Sequence, residues 1–117
     1  GQCDSLKMVE LPNCSYIDEN AFWNCLGLSK VSLPVCISIN RCAFEDCLNL
    51  KDVYLMGSRI VEWMMSDYAS VFSGCHQDLS IHVPTVLYSE YIGKYGEYFV
   101  TLYGNVRRGF SKIITSR

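Results

Sequence analysis

The chain repeats itself every 22 residues. Leu6, Leu28 and Leu50 fall one step apart, and so do Val9, Val31 and Val53; Leu11, Leu33 and Leu55; and Cys3, Cys25 and Cys47. Pro12 and Pro34, Ile17 and Ile39, Ala21 and Ala43, and Phe22 and Phe44 keep the same step. A short unit of fixed period cannot bury its apolar face alone and must stack on its neighbours, which makes a solenoid. Function in such a molecule is sought in rows of side chains along one face, not in a pocket.

Within one unit, Val9-Glu10-Leu11, Val31-Ser32-Leu33 and Val53-Tyr54-Leu55 alternate apolar and polar residues, the pattern of a half-buried strand. Pro12 and Pro34 cannot donate to a ladder and are expected to end those strands. The stretches around Ile17 and Ile39 fit a second short strand. Ala-Phe-x-x-Cys spans about one helical turn, too short to persist unless packed. A fourth copy is stretched: Phe72-Ser73-Gly74-Cys75 matches Phe44-Glu45-Asp46-Cys47 at a step of 28, and Ile81-His82-Val83-Pro84 matches Val31-Ser32-Leu33-Pro34. The insertion lies within Gly57–Ser70 and brings in the apolar run around Trp63-Met64-Met65.

Leu-x-x-Val-x-Leu-Pro followed by Ile-x-x-x-Ala-Phe-x-x-Cys resembles the BspA-like leucine-rich repeat, with the match running over about residues 3–84. The segment after Val83-Pro84, with Leu87 and Tyr91, resembles that family's C-terminal closing stretch. The resemblance implies a curved right-handed α/β solenoid, a leucine-rich-repeat arc of short stacked parallel strands, mostly β and loop. It also implies extracellular or cell-surface proteins that work in binding and adhesion, with no catalytic residues to carry over. The stretched copy and the basic C-terminus depart from the family pattern.

At 117 residues the chain is long enough for one core. Half the residues are hydrophobic, yet no apolar run is long enough to span a bilayer, so membrane insertion is not expected. The chain opens at Gly1-Gln2-Cys3, part-way through a unit, with no N-terminal signal. A solenoid needs a cap at each end, and the expectation is a fragment of a longer protein.

Four of the seven cysteines, Cys3, Cys25, Cys47 and Cys75, share one repeat position and are expected to form an inward row of small buried side chains. Cys14 and Cys36 lie one period apart in the turn after the proline, where their Cα atoms fit the disulfide range of about 4.4–6.8 Å; a bridge there is open in an oxidising compartment. No Cys-x-x-Cys pair nucleates a zinc site, and Cys75-His76 is a lone dipeptide. No cofactor is expected. Of the two histidines, His82 takes an outward strand position while the repeat cysteines point inward, so no Cys–His nucleophile assembles. The chain reads as a non-enzyme.

Alternation turns Val9, Leu11 and their equivalents inward and lines up Glu10, Ser32, Tyr54 and His82 in one outward row. Met8, Lys30, Asp52 and Ser80 form a second row, in which Lys30 and Asp52 face each other and are expected to pair. Tyr54 and His82 supply the aromatic surface and are the preferred contact residues. Trp63 is a further binding candidate, set against a reading in which its loop folds back to cover the core.

Past Pro84 the period stops. Leu87, Tyr91, Tyr95, Tyr98 and Leu102 follow a helical rhythm, with Thr85 or Ser89 as a cap, so a helix is expected from about Thr85 to Tyr95, then an extended piece with a turn at Gly104-Asn105. The organisation is therefore residues 1–84 as repeats, about four units, and 85–117 as a capping segment with a basic tail. All twelve acidic residues precede Tyr98, whereas Arg107, Arg108, Lys112 and Arg117 follow it with no acid. The simplest reading of that tail is a solvated terminus, the alternative being electrostatic attachment to an anionic surface or an acidic neighbour, and the acidic body argues against nucleic acid as a partner. Two functions fit: a binding and adhesion module with a protein or extracellular-matrix ligand, or a structural spacer within a larger protein.

Overall fold

In a computed structural model, the described residues are 5–63, 71–72, 74–76, 78–95 and 112–116. Each 22-residue unit contributes one strand to each of two parallel sheets. The larger sheet runs β1 (Met8–Glu10), β3 (Lys30–Ser32), β5 (Asp52–Tyr54), β7 (Ser80–Pro84), β8 (Lys112–Ser116); the smaller runs β2 (Tyr16–Ile17), β4 (Ser38–Ile39), β6 (Glu62–Trp63). Register follows the period: Val9 pairs with Val31, Val31 with Val53 and Val53 with Ile81. These residues, with Leu28, Leu33, Leu50, Leu55 and Leu79, are buried between the sheets. Strand alternation thus sets the core directly from sequence spacing.

The third corner of each unit is the Ala-Phe-x-x-Cys segment, and it is not helical. Ala21 N–H donates to Asp18 O at 3.1 Å, Trp23 N–H to Asn20 O at 3.2 Å and Cys25 N–H to Phe22 O at 3.2 Å. Consecutive turns of this kind need left-handed residues. Asn20 and Cys42 supply the first, at φ 61° each, and Asn24, Asp46 and Gly74 the second, at 59°, 62° and 77°. Inside the corner the phenyl rings stack: Phe22 on Phe44 at 5.3 Å and Phe44 on Phe72 at 5.9 Å between centroids, nearly parallel.

The repeat cysteines face inward, with Cys25, Cys47 and Cys75 all buried; Cys3 lies outside the described residues. They do more than fill space. Cys47 Sγ donates to Phe22 O at 3.0 Å and Cys75 Sγ to Phe44 O at 3.2 Å, so each thiol ties its unit to the one before. Burial pushes the Cys47 thiol up to about 11. Cys25 departs from the expected row of thiols, being disulfide-bonded. The five other described cysteines are thiols, so none of them is its partner.

The stretched copy divides its extra length. Asp52 pairs with Ser80, a step of 28, but Ser38 pairs with Glu62 and Ile39 with Trp63, a step of 24. Two extra residues therefore precede β6 and four follow it. Trp63 becomes the inward residue in the row begun by Ile17 and Ile39.

The chain then turns through a 3₁₀ segment, Thr85–Leu87, into α1 (Tyr88–Tyr95). Pro84 takes the cap position of the 3₁₀ turn and no side chain caps it, so Thr85 is not the expected cap. The expected extended piece and the turn at Gly104-Asn105 lie outside the described residues. Residues 112–116 are not a solvated terminus: they form β8, parallel to β7, with Ile81 opposite Ile113 and Ile113 buried.

Candidate binding face

The outer face of the larger sheet is built by the residues that strand alternation excludes from the core. Glu10 is aligned with Ser32, Ser32 with Tyr54, Tyr54 with His82 and His82 with Ile114. Met8, Lys30, Asp52 and Ser80 make the second row. Glu10, Met8 and Lys30 are exposed; Ser32, Asp52 and Tyr54 are half-exposed.

At the centre the two rows interlock. The Tyr54 and His82 rings stack at 4.0 Å between centroids, 14° from parallel. Lys30 Nζ sits 5.3 Å from the centroid of the Tyr54 ring, a cation–π contact worth about 0.5–1 kcal/mol at an exposed site. The His82 Nε2–H donates to Asp52 Oδ1 at 2.9 Å. A cation, two stacked rings and a carboxylate thus form one unit of amphipathic surface across three strands.

Three expectations about this face change. Lys30 and Asp52 are opposite each other in register, but Asp52 is taken by His82 and Lys30 lies over Tyr54. His82 holds the outward position yet its side chain is only 12 % exposed, enclosed by Tyr54 on one side with β8 alongside on the other. Ser80, in the second row, is buried, its hydroxyl donating to Asp78 O at 3.4 Å. The accessible aromatic surface is therefore that of Tyr54.

Trp63 is not on this face. It is 7 % exposed, stacked on Tyr95 at 3.9 Å, edge-on to Phe72 at 5.6 Å and beside Tyr91 at 6.2 Å. Its indole closes the core, as the alternative reading of that loop has it. The residues that hold it are among the aromatics whose spacing in the sequence marked them to seal the open end of the solenoid: Tyr95 O–H donates to Val61 O at 2.8 Å and accepts from Trp63 N–H at 3.0 Å, and the Tyr91 hydroxyl oxygen accepts from Val61 N–H at 2.9 Å. Lys94 pairs with Glu62 at 2.6 Å. The helical spacing of Tyr91 and Tyr95 was the signal, and it showed their apolar rings but not their hydroxyls.

An open groove of about 440 Å³ runs between the loop before β6 and α1, lined by Ile37, Arg59, Ile60, Glu62, Leu87 and Glu90 among others. Among the described residues no three His, Cys, Asp or Glu side chains gather as a metal site requires. His76 Nδ1 accepts the Asp78 N–H at 3.0 Å, a local turn contact. No described helix is long and apolar enough to cross a membrane.

No curated protein and no solved structure is similar enough to count as a match. One family model does match: that of the BspA type leucine rich repeat region (6 copies), over residues 1–88. Such repeats are protein-interaction modules, generally non-enzymatic and typically extracellular or at the cell surface. That match covers most of a chain whose two parallel sheets and stacked phenylalanine rings follow one 22-residue period, and the chain belongs to the BspA-type leucine-rich repeat family.

Proposed function

We propose that this chain is a non-catalytic binding and adhesion module of a surface or secreted protein, docking partners on the outer face of its larger sheet. The observation that carries this reading is the Lys30–Tyr54–His82–Asp52 cluster. Tyr54 offers a rigid ring with a polar tip, already fixed by its neighbours, so binding orders little that was free. Lys30 adds charge, and Glu10 and Ser32 extend the polar margin along the row. His82 and Asp52 act beneath, holding the Tyr54 ring. Residues 1–84 form the binding body in this reading, and 85–117 close it.

The test uses immobilised extracellular-matrix proteins and biolayer interferometry. Binding by the wild type, weakened about tenfold or more in Tyr54→Ala and in Lys30→Glu with unchanged melting, is the expected result. Binding that both variants retain moves the contact off this face. A wild type that binds no matrix protein supports the second reading, a structural spacer, which the mutual pairing of His82 and Asp52 favours.

A further inference from the structure

Cys14 and Cys36 are thiols in adjacent units. The step that aligns Tyr16 with Ser38 and Ile17 with Ile39 sets Cys14 opposite Cys36. Their backbones are locked at that level, since Ile37 N–H donates to Ser15 O at 2.7 Å. Each thiol leans the same way along its own chain: Cys14 Sγ donates to Tyr16 O at 3.1 Å and Cys36 Sγ to Ser38 O at 3.4 Å. Strands paired in this manner lie about 4.8 Å apart, inside the Cα separation of about 4.4–6.8 Å that a disulfide spans. Thiol–carbonyl bonds are weak, so rotating both sulfurs toward each other gives up little. At the 24-residue step between β4 and β6 the position in register with Cys36 is Ile60, so the row holds no third cysteine to compete. Cys42 belongs to a different corner of the unit, at a left-handed position.

The geometry points to a redox staple: Cys14 and Cys36 are a dithiol that oxidises to a disulfide and clamps the first described unit to the second. The oxidant is a small disulfide such as oxidised glutathione. The Cys14 thiolate, half-exposed, attacks one sulfur of the oxidant and forms a mixed disulfide. One glutathione thiolate leaves and takes up the proton that Cys14 released. The Cys36 thiolate then attacks Cys14 Sγ, and the second glutathione leaves with the proton from Cys36. Two protein thiols lose two hydrogens and the oxidant gains them. Cys36 is buried, and desolvation first, with the nearby Cys14 second, pushes its thiol up to about 11. Its attack is therefore the slower step, assisted by its fixed place beside Cys14.

The unit being clamped is less enclosed than the one it joins: Leu6, Leu11 and Phe22 are half-buried where their counterparts in the next unit are fully buried. The staple would restrain the unfolded chain across that weak point.

The test is to incubate the protein at graded ratios of oxidised to reduced glutathione, quench by alkylation and map the peptides by mass. A linked Cys14–Cys36 peptide pair, lighter by two hydrogens, should rise as the ratio becomes oxidising, with melting raised by several degrees. In Cys36→Ser, Cys14 should stop at the glutathione adduct; in Cys14→Ser, Cys36 should stay reduced. Alkylation of both thiols at every ratio, a lasting glutathione adduct on wild-type Cys14, or a Cys14–Cys42 link would overturn the staple. Should a serine variant fail to fold, the wild-type map decides alone.

Discussion

The first and last described units of this chain differ in how they are enclosed. At the end of β1 and β2, Met8 and Tyr16 are more than half exposed and Phe22 has a ring neighbour on one side, Phe44. In the last, β6 is the final strand of the smaller sheet among the described residues, and α1 lies against it. There Tyr91 and Tyr95 bring hydroxyls to Val61 and Trp63, supplying the hydrogen bonds that another strand would otherwise make. A buried backbone group left unpaired costs about 1–3 kcal/mol, so a parallel ladder cannot end in an apolar environment without such partners. The larger sheet solves the same problem by adding β8. The comparison teaches that stacking is cheap to continue and demanding to stop.

The largest expected effect lies on the stack that joins the ends. Phe44→Ala removes a ring buried between two others and should cost about 3–5 kcal/mol, enough to threaten folding at this size. Phe22→Ala, at the half-buried end, should cost clearly less. Equal losses in urea denaturation would erase the difference between the ends.

Next comes the tyrosine seal. Tyr95→Phe leaves Val61 O and Trp63 N–H without their partner while keeping the ring, and should cost about 2–4 kcal/mol. Tyr91→Phe, which frees one group, should cost about half of that. Tyr16→Phe, exposed at the opposite end, should fall within about 0.5 kcal/mol. The same three variants compared by thermal melting test the ranking.

Alkali should attack the sealed end. Burial pushes the Tyr91 hydroxyl up to about 12 and the Tyr95 hydroxyl further, against about 10 for tyrosine in an unfolded chain. Below about pH 10 folded and unfolded states both hold these protons, and the contribution is intact. As pH rises from about 10 toward 12 only the unfolded chain releases them, so stability falls. Buried Cys36 and Cys47, raised to about 11, start the same loss earlier, from about pH 8.5. Melting temperature should be level at neutral pH and fall steadily above about 9; in the two Tyr→Phe variants the fall above 10 should be shallower.

The smallest effect compares one turn position at both ends. Gly74, at φ 77°, has Asp46 Oδ1 where a Cβ would sit, whereas Asn24 already carries a side chain at φ 59°. Gly74→Ala should cost about 1–2 kcal/mol, and Asn24→Gly a few tenths. Chemical denaturation of the pair measures this difference.

What the sequence disclosed, and what it withheld, follows from the same physics. Wherever the step is 22, register could be read to the residue, as in Val9–Val31–Val53 and Phe22–Phe44, because one missed residue would turn the whole strand inside out. Trp63 was ambiguous because two added residues before β6 displaced it from the period and hid its kinship with Ile17 and Ile39. β8 was hidden for a related reason: Lys112–Ser116 lies beyond the last repeat, and a strand that completes a distant sheet carries no local mark of its partner. On the face, alternation gave the rows of Glu10 and Lys30 correctly. It could not say that Asp52 would turn to His82 in place of Lys30, since that choice is made by side-chain reach among three neighbours.

The central claim is that tyrosine hydroxyls end the smaller sheet, and amide hydrogen exchange at Val61 and Trp63 tests it most directly. In the wild type both amides should exchange as slowly as those of Val31 and Val53 in the core strands. In Tyr95→Phe the Trp63 amide should exchange at least tenfold faster while Val61, held by Tyr91, stays protected. Rapid exchange of both amides in the wild type, or protection of Trp63 that survives the loss of the Tyr95 hydroxyl, would contradict the account.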